Sequence, residues 1–341
     1  MAALVGAAVG GWLVSLTGIP LGWMIGSMLV TAAASLGGAS VKQPGFVMDV
    51  VRASIGLMLG AAFTHELLAS FAAWWVSLAF LFVALSLMFV AAFFALRRIA
   101  GFDKATAALC AMPGGIAEMV LLSEQQGADQ ARVAIVHALR IAMAILLIPI
   151  LVSQITTIEP VAAASTSGLT SLAALDWLWI VVCIAAGLLA RGRVRMPAPI
   201  VVVPMIISAA VHLLGWTMFE VPASITALVQ VFIGINVGGR FAGVPMKALM
   251  GALGAAAMVV ALQIGVAFGG ALLVAKSSGA DPVALVLAFA PGGLAEMSII
   301  ALSVGRDVAF VGLHHVFRVL IALSLAPLLL SWLLKPSGPS K

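Results

Sequence analysis

The chain has 341 residues, 64% hydrophobic and 9% charged, with a net charge of +5 and a mean hydropathy of +1.24. Soluble domains run at roughly 45–50% apolar and about 25% charged, so too little polar surface is present here to cover a folded body in water. That balance excludes a cytosolic enzyme, a disordered hub, a fibrous protein and a disulfide-stapled secreted module, and leaves a polytopic membrane protein.

In chain order, apolar segments lie near 2–16, 19–36, 47–64, 71–96, 105–126 and 132–153. The first lacks a basic start and a polar cleavage region, so it does not read as a cleavable signal peptide. The fifth is interrupted by Pro113-Gly114-Gly115. Proline removes a donor and clashes with the preceding turn, and two glycines tolerate almost any backbone conformation, which predicts two half-helices there. A polar connector over 154–176 follows. Six more segments lie near 177–190, 197–216, 224–241, 246–275, 282–304 and 308–334, the fifth again interrupted, by Pro291-Gly292-Gly293. A helical crossing takes about 20 apolar residues, and long unbroken runs favour helices over a barrel. The expected organisation is a first membrane repeat over 1–153, the connector, a second repeat over 177–335 and a tail over 336–341. Cys110 and Cys183 sit inside apolar runs and offer neither a disulfide framework nor a metal site.

The two halves are copies. Pro113–Arg140 and Pro291–Arg318 align without a gap, 178 residues apart, with 12 identities in 28 positions. These include Glu118/Glu296, Gly127/Gly305, Asp129/Asp307, His137/His315 and Arg140/Arg318. Gly56 and Gly60 match Gly234 and Gly238 at the same offset, Pro149 matches Pro327, and with one gap Pro20 falls on Pro197.

Charge orients the segments. If all twelve cross, the basic loop residues divide 8 to 7 between the two sides. If each broken segment enters and leaves on one side, Lys276 and Arg306 alone lie outside and 13 lie inside. Basic residues concentrate on the cytoplasmic side, which favours the second arrangement. It makes the halves inverted repeats, each of about five transmembrane helices plus one re-entrant element, with both termini cytoplasmic. The sequence leaves open whether each break is a hairpin or a broken crossing helix.

Broken helices at the middle of inverted repeats are how many secondary transporters build a binding site. The half-helices after Gly115 and Gly293 would aim positive dipole ends at the centre, where an anion could sit. Pro113, Gly114, Gly115, Pro291, Gly292 and Gly293 are therefore candidate substrate-binding residues. Arg140 and Arg318, deep in the last helix of each half, either hold a carboxylate or phosphate or pair with the neighbouring glutamate. Glu118 and Glu296 either carry a coupling proton or sodium ion or cap their own helices. His137 and His315, with His314 beside them, either titrate or are buried and hydrogen-bonded. The Gly56/Gly60 and Gly234/Gly238 pairs read as helix-packing surfaces. Gln230, Asn236 and Gln263 are candidate cavity linings, and Trp12, Trp74, Trp75, Trp177, Trp216 and Trp332 read as interfacial anchors.

The doubled Pro-Gly-Gly element with its Asp and helix Arg (Pro113–Gly115, Asp129 and Arg140; Pro291–Gly293, Asp307 and Arg318) resembles the bacterial membrane AbrB family. Pro20, Pro197 and the Gly56 and Gly234 helices fit the same pattern. The resemblance covers nearly the whole chain. It implies a duplicated membrane protein of a family whose members are called regulators or ammonia monooxygenases. Five histidines and two apolar-segment cysteines offer no clear metal-ligand cluster, so no cofactor and no catalytic group is expected. Direct nucleic-acid binding lacks a soluble module to reach a groove.

The leading expectation is a secondary transporter of a small anionic solute by alternating access, coupled to protons or sodium and embedded in the bilayer, with homo-oligomers possible. The alternative is a membrane regulator or sensor acting on gene expression indirectly, without net flux. A membrane monooxygenase is a distant third.

Overall fold

The computed structural model describes residues 2–39, 41, 43–65, 74–155, 172–196, 198–219 and 221–333. The sequence segments become helices because their apolar side chains leave no partner for backbone polar groups except the helix itself. The first half runs α1 (Ala2–Ser15), α2 (Gly22–Leu36), α3 (Gly45–Ala61), α4 (Trp74–Arg98), α5 (Lys104–Ala111), α6 (Ile116–Gln125) and α7 (Gln130–Ile155). The second runs α8 (Ala174–Ala190), α9 (Pro199–Leu213), α10 (Ala223–Gly238), a 3₁₀ turn at Gly239–Phe241, α11 (Met246–Ser278), α12 (Pro282–Phe289), α13 (Leu294–Ser303) and α14 (Val308–Leu333). Among the described residues the structure is all-helical. Most of the 154–176 connector, Pro197, Lys42, Lys335, Lys341 and the 336–341 tail lie outside those residues.

Among the described residues, four helical stretches are long and apolar enough to cross a membrane: Trp74–Arg98, Gln130–Ile155, Ala223–Phe241 and Met246–Ser278. Helices α1, α2, α8 and α9 have 14, 15, 17 and 15 residues. At 1.5 Å per residue each is shorter than the roughly 30 Å hydrocarbon layer.

Packing crosses between the halves: α2 lies on α10 and α3 on α9, while α1 packs on α2 and α8 on α9. Small residues make these approaches possible. A β-carbon on Gly56 would strike the Val201 carbonyl, and one on Gly60 the Met205 carbonyl. One on Gly234 would meet the Ser27 hydroxyl and the Met24 carbonyl. Both glycine pairs are thus the helix-packing surfaces the sequence suggested. Around them, α4 packs on α11, and α11 on α7.

The end of each half is built by local rules. Asp103 opens α5 by accepting from the Thr106 N–H at 2.9 Å, and Asp281 opens α12 by accepting from Val283 and Ala284. Asp129 and Asp307 open α7 and α14 by accepting from the N–H groups of Arg132 (2.9 Å) and Phe310 (2.8 Å). Between them, Gly127 and Gly305 close α6 and α13 at φ +63° and +64°, a left-handed turn that favours glycine. Of the six tryptophans read as anchors, Trp12, Trp75, Trp177, Trp216 and Trp332 are exposed. Trp74 is buried, its ring edge-on to Phe310 at 5.2 Å.

Candidate functional site

Each Pro-Gly-Gly element is a four-residue break: Met112–Gly115 separates α5 from α6, and Ala290–Gly293 separates α12 from α13. The chain doubles back inside each one, with the Gly114 N–H donating to the Met112 carbonyl and the Gly292 N–H to the Ala290 carbonyl, both at 2.9 Å. The last carbonyls of α5 and α12 have no partner within their own helices. Side chains from the last helix of each half supply them.

In the first half, His137 Nε2 meets the Leu109 carbonyl at 3.0 Å. Arg140 Nη1 and Nη2 donate to the carbonyls of Met112 and Gly114, each at 2.9 Å. In the second half, His315 Nε2 meets the Leu287 carbonyl at 2.9 Å, Arg318 Nη1 donates to Ala290 at 2.7 Å, and Nη2 donates to Gly292. Every partner sits 178 residues from its counterpart. The guanidinium also faces the negative end of the helix it closes. All four side chains are buried, and the two Nε and two Nδ1 atoms have no hydrogen-bond partner. Among the described residues, no carboxylate lies within 4 Å of either arginine, so the arginine–glutamate salt bridge weighed above does not form.

The glutamates differ between halves. Glu118 is exposed and Glu296 is buried, at 8% exposure. Each carboxylate folds back over the glycine preceding its helix, where a β-carbon on Gly115 or Gly293 would strike it. That is the posture of a side chain serving its own helix start. His314 turns away from the break: Nδ1 meets the Phe310 carbonyl at 2.8 Å and Nε2 the Ser77 hydroxyl at 2.9 Å. Gln263 also serves the first break, donating to the Ala111 carbonyl at 3.3 Å.

The charged groups of both breaks share one neighbourhood. Arg318 lies within electrostatic reach of Arg140 and Glu296, Arg140 within reach of Arg240, and Arg240 within reach of Glu296. Sequence reasoning counted Arg240 among the loop basic residues and missed it as a site residue. It follows the Gly234-x-x-x-Gly238 surface by two positions, so the close packing of α10 on α2 draws it inward. Its Nη2 donates to Asn236 Oδ1 at 3.4 Å, and its Nη1 is buried without a partner. A cavity of about 480 Å³ opens beside it, lined by Ile116 and Glu118 of α6, Ala134, Ile135 and Ala138 of α7, and Arg240, Phe241 and Val244. Of the polar candidates on α10, Asn236 thus orients Arg240, while Gln230 is buried with its Oε1 unpartnered.

At two helix starts outside the long apolar helices, two aspartates titrate differently. Burial works to raise the Asp103 carboxyl, but hydrogen bonds from Thr106 and Ala105 outweigh it and hold the group below its ordinary value. Burial pushes Asp307 up, against the N–H groups of Phe310 and Ala309 and with help from nearby Asp281. Among the described residues, no three His, Cys, Asp or Glu side chains come together in a metal-binding group.

Comparison with known proteins agrees along the length of the chain. The family model described as "Transition state regulatory protein AbrB" matches residues 23–334. The Bacillus subtilis (strain 168) protein YhjN is 27% identical, over 94% of this chain and 89% of its own length. An Escherichia coli (strain K12) protein named "Putative regulator AbrB" is 23% identical, over 91% of this chain and 89% of its own length. No solved structure matches.

Proposed function

The chain belongs to the AbrB family, and from that premise we propose that it is a secondary transporter of a small anionic solute, moving it by alternating access and coupling it to a proton or sodium gradient. In this reading residues 1–153 and 177–335 are inverted membrane repeats whose breaks meet at the centre, in a bacterial inner membrane with both termini cytoplasmic. The observation that carries it is the twice-built break, with the same Arg and His clasping equivalent carbonyls in each half. Irregular backbone at membrane depth is tolerated where it lines a cavity or is buried in protein, and a duplicated, side-chain-supported break is a feature of transporter sites.

In this reading the roles are divided among the residues of the two breaks. Arg140 and Arg318 hold the breaks open by taking up their carbonyls, and their positive charge biases the neighbourhood toward an anion. Glu118 and Glu296, at the starts of the second half-helices, are the coupling groups. Pro113–Gly115 and Pro291–Gly293 supply backbone to the solute. His137 and His315 fix the ends of the first half-helices, with Nδ1 left as an acceptor for a proton.

The test is accumulation in proteoliposomes of a mixture of labelled small carboxylates and inorganic anions under an imposed proton or sodium gradient. The Glu118→Gln/Glu296→Gln double variant should lose gradient-driven accumulation while retaining exchange of solute. Unchanged accumulation in that variant overturns the coupling role. The regulator name of the Escherichia coli relative favours a second reading, a membrane sensor without flux. It predicts a ligand that binds wild type and never crosses.

A further inference from the structure

The cavity beside the first break carries two opposite charges that are not joined to each other. Glu118 and Arg240 both line it, yet no Glu118–Arg240 ion pair forms within 4 Å among the described residues. The remaining six lining residues, Ile116, Ala134, Ile135, Ala138, Phe241 and Val244, are all apolar. Arg240 Nη1 is buried and has no partner, while Nη2 is held toward Asn236. Arg240 therefore presents to the cavity a guanidinium that, among the described residues, has no carboxylate within 4 Å, a fixed positive charge for a ligand's carboxylate to meet.

The chemistry of that something is narrow. A dianion would place its second charge against Glu118. A plain monoanion would meet Arg240 and make no use of the Glu118 carboxylate. A cation would set its charge against that of Arg240. A molecule bearing one carboxylate and one ammonium satisfies both walls, and an aliphatic body meets the apolar lining. Ligand cavities of about 300–1,000 Å³ suit small to drug-sized molecules, and 480 Å³ lies in the lower half of that range.

We propose that this cavity binds a small zwitterion with an aliphatic side chain, an apolar α-amino acid, with its carboxylate on Arg240 and its ammonium on Glu118. The inference rests on the transport reading only in taking the bound molecule to be cargo, and it replaces the anionic solute of that reading with a carboxylate balanced by its own ammonium. It also gives the two halves unequal tasks. The position 178 residues before Arg240 is Ala62, so the second break has no equivalent guanidinium.

The experiment is a binding titration on the purified full chain in detergent, by thermal shift and calorimetry, with three probes: leucine, 4-methylpentanoate (leucine without its amine) and 3-methylbutylamine (leucine without its carboxylate). Leucine should bind wild type at least tenfold more tightly than either fragment. Arg240→Gln should weaken leucine by roughly thirtyfold or more, the loss expected when one partner of a buried charged pair is removed. Glu118→Gln changes an exposed side chain, so the fold should stand. It should bring leucine down to the affinity of 4-methylpentanoate.

Equal binding of leucine and 4-methylpentanoate by wild type overturns the proposal, as does leucine binding that ignores Arg240→Gln. If Arg240→Gln does not fold, the Glu118→Gln comparison decides alone. Labelled-leucine flux in proteoliposomes then separates the two readings. Binding without flux removes the transporter and leaves the cavity assignment, whereas flux of other anions without leucine binding does the reverse.

Discussion

The two breaks are closed by the same atoms and surrounded by different ones. In both, an arginine and a histidine from the last helix take three carbonyls at the end of the first half-helix and inside the turn. The first break has a further donor, Gln263, on the Ala111 carbonyl. The position related to Gln263 by the same offset is Leu85, which cannot donate. Around the first break Glu118 is exposed and faces a cavity with Arg240. Around the second, Glu296 is buried, and Phe289 is fully buried beside Phe80 and His314. The shared part is what any broken helix inside protein needs, because its carbonyls must be satisfied. The unshared part is where the halves were free to diverge, and it is there that specificity can reside.

Removing the shared clasp should have the largest effect. Hydrogen bonds to charged groups contribute about 1.5–3 kcal/mol each, so Arg140→Ala and Arg318→Ala each forfeit roughly 3–6 kcal/mol and leave two carbonyls unpaired. Lysine does not rescue either, since an ammonium lacks the planar fork that spans two acceptors. Arg318→Ala should be the worse, because buried Glu296 sits within reach of Arg318, while Gln263 still supports the first break. Thermal unfolding of the purified variants checks the order. Equal losses would mean that the surroundings of the two breaks do not matter to their stability.

How much of this could be read from the sequence depends on which residues carry it. The breaks and their bounding helices were legible because Pro113-Gly114-Gly115 and Pro291-Gly292-Gly293 interrupt otherwise unbroken apolar runs. The packing role of Gly56 and Gly234 was legible from spacing. Spacing also brought Arg140 and His137 near the break, but not what they bond: a guanidinium's partner is fixed by which backbone atoms the turn exposes. Carbonyls leave no trace in a sequence, so the competition between a glutamate and two carbonyls could not be judged. Arg240 was hidden for a different reason. A lone arginine after a helix looks like any loop cation until the packing of α10 on α2 is known.

A smaller change would make the first break resemble the second. Gln263→Leu removes the donor to Ala111 and should destabilise by about 1–2 kcal/mol, the cost of leaving a buried acceptor unsatisfied set against the gain of apolar packing. The reciprocal Leu85→Gln places an amide opposite the second break, where the Phe289 carbonyl stands at the equivalent position. If the halves are related as their sequences imply, that amide finds the carbonyl, and Leu85→Gln costs less than a buried glutamine normally would. Loss of more than about 3 kcal/mol in Leu85→Gln would mean that the amide has found no acceptor and the second break is closed to one.

The smallest effect should come from two aspartates at helix starts, Asp103 before α5 and Asp307 before α14, which should differ in sign. The Asp103 carboxyl is held below its ordinary value by hydrogen bonds from Thr106 and Ala105 that prevail over burial. Its contribution is therefore present above the unfolded carboxylate value and lost as pH falls through the lowered one. The Asp307 carboxyl is raised by burial, so the folded state binds its proton more tightly than the unfolded state does. Stability from that proton is fully present below the unfolded value and lost as pH rises through the raised one. Asparagine keeps a capping oxygen in either place and cannot ionise. At pH 7, Asp103→Asn should therefore lower the unfolding temperature, whereas Asp307→Asn should leave it level or raise it. Below about pH 4 the Asp103→Asn deficit should shrink, since the wild-type carboxylate is then losing its charge as well. Unfolding curves at several pH values resolve this, and a pH 7 loss of equal size in both variants would show that capping geometry outweighs ionisation at the two helix starts.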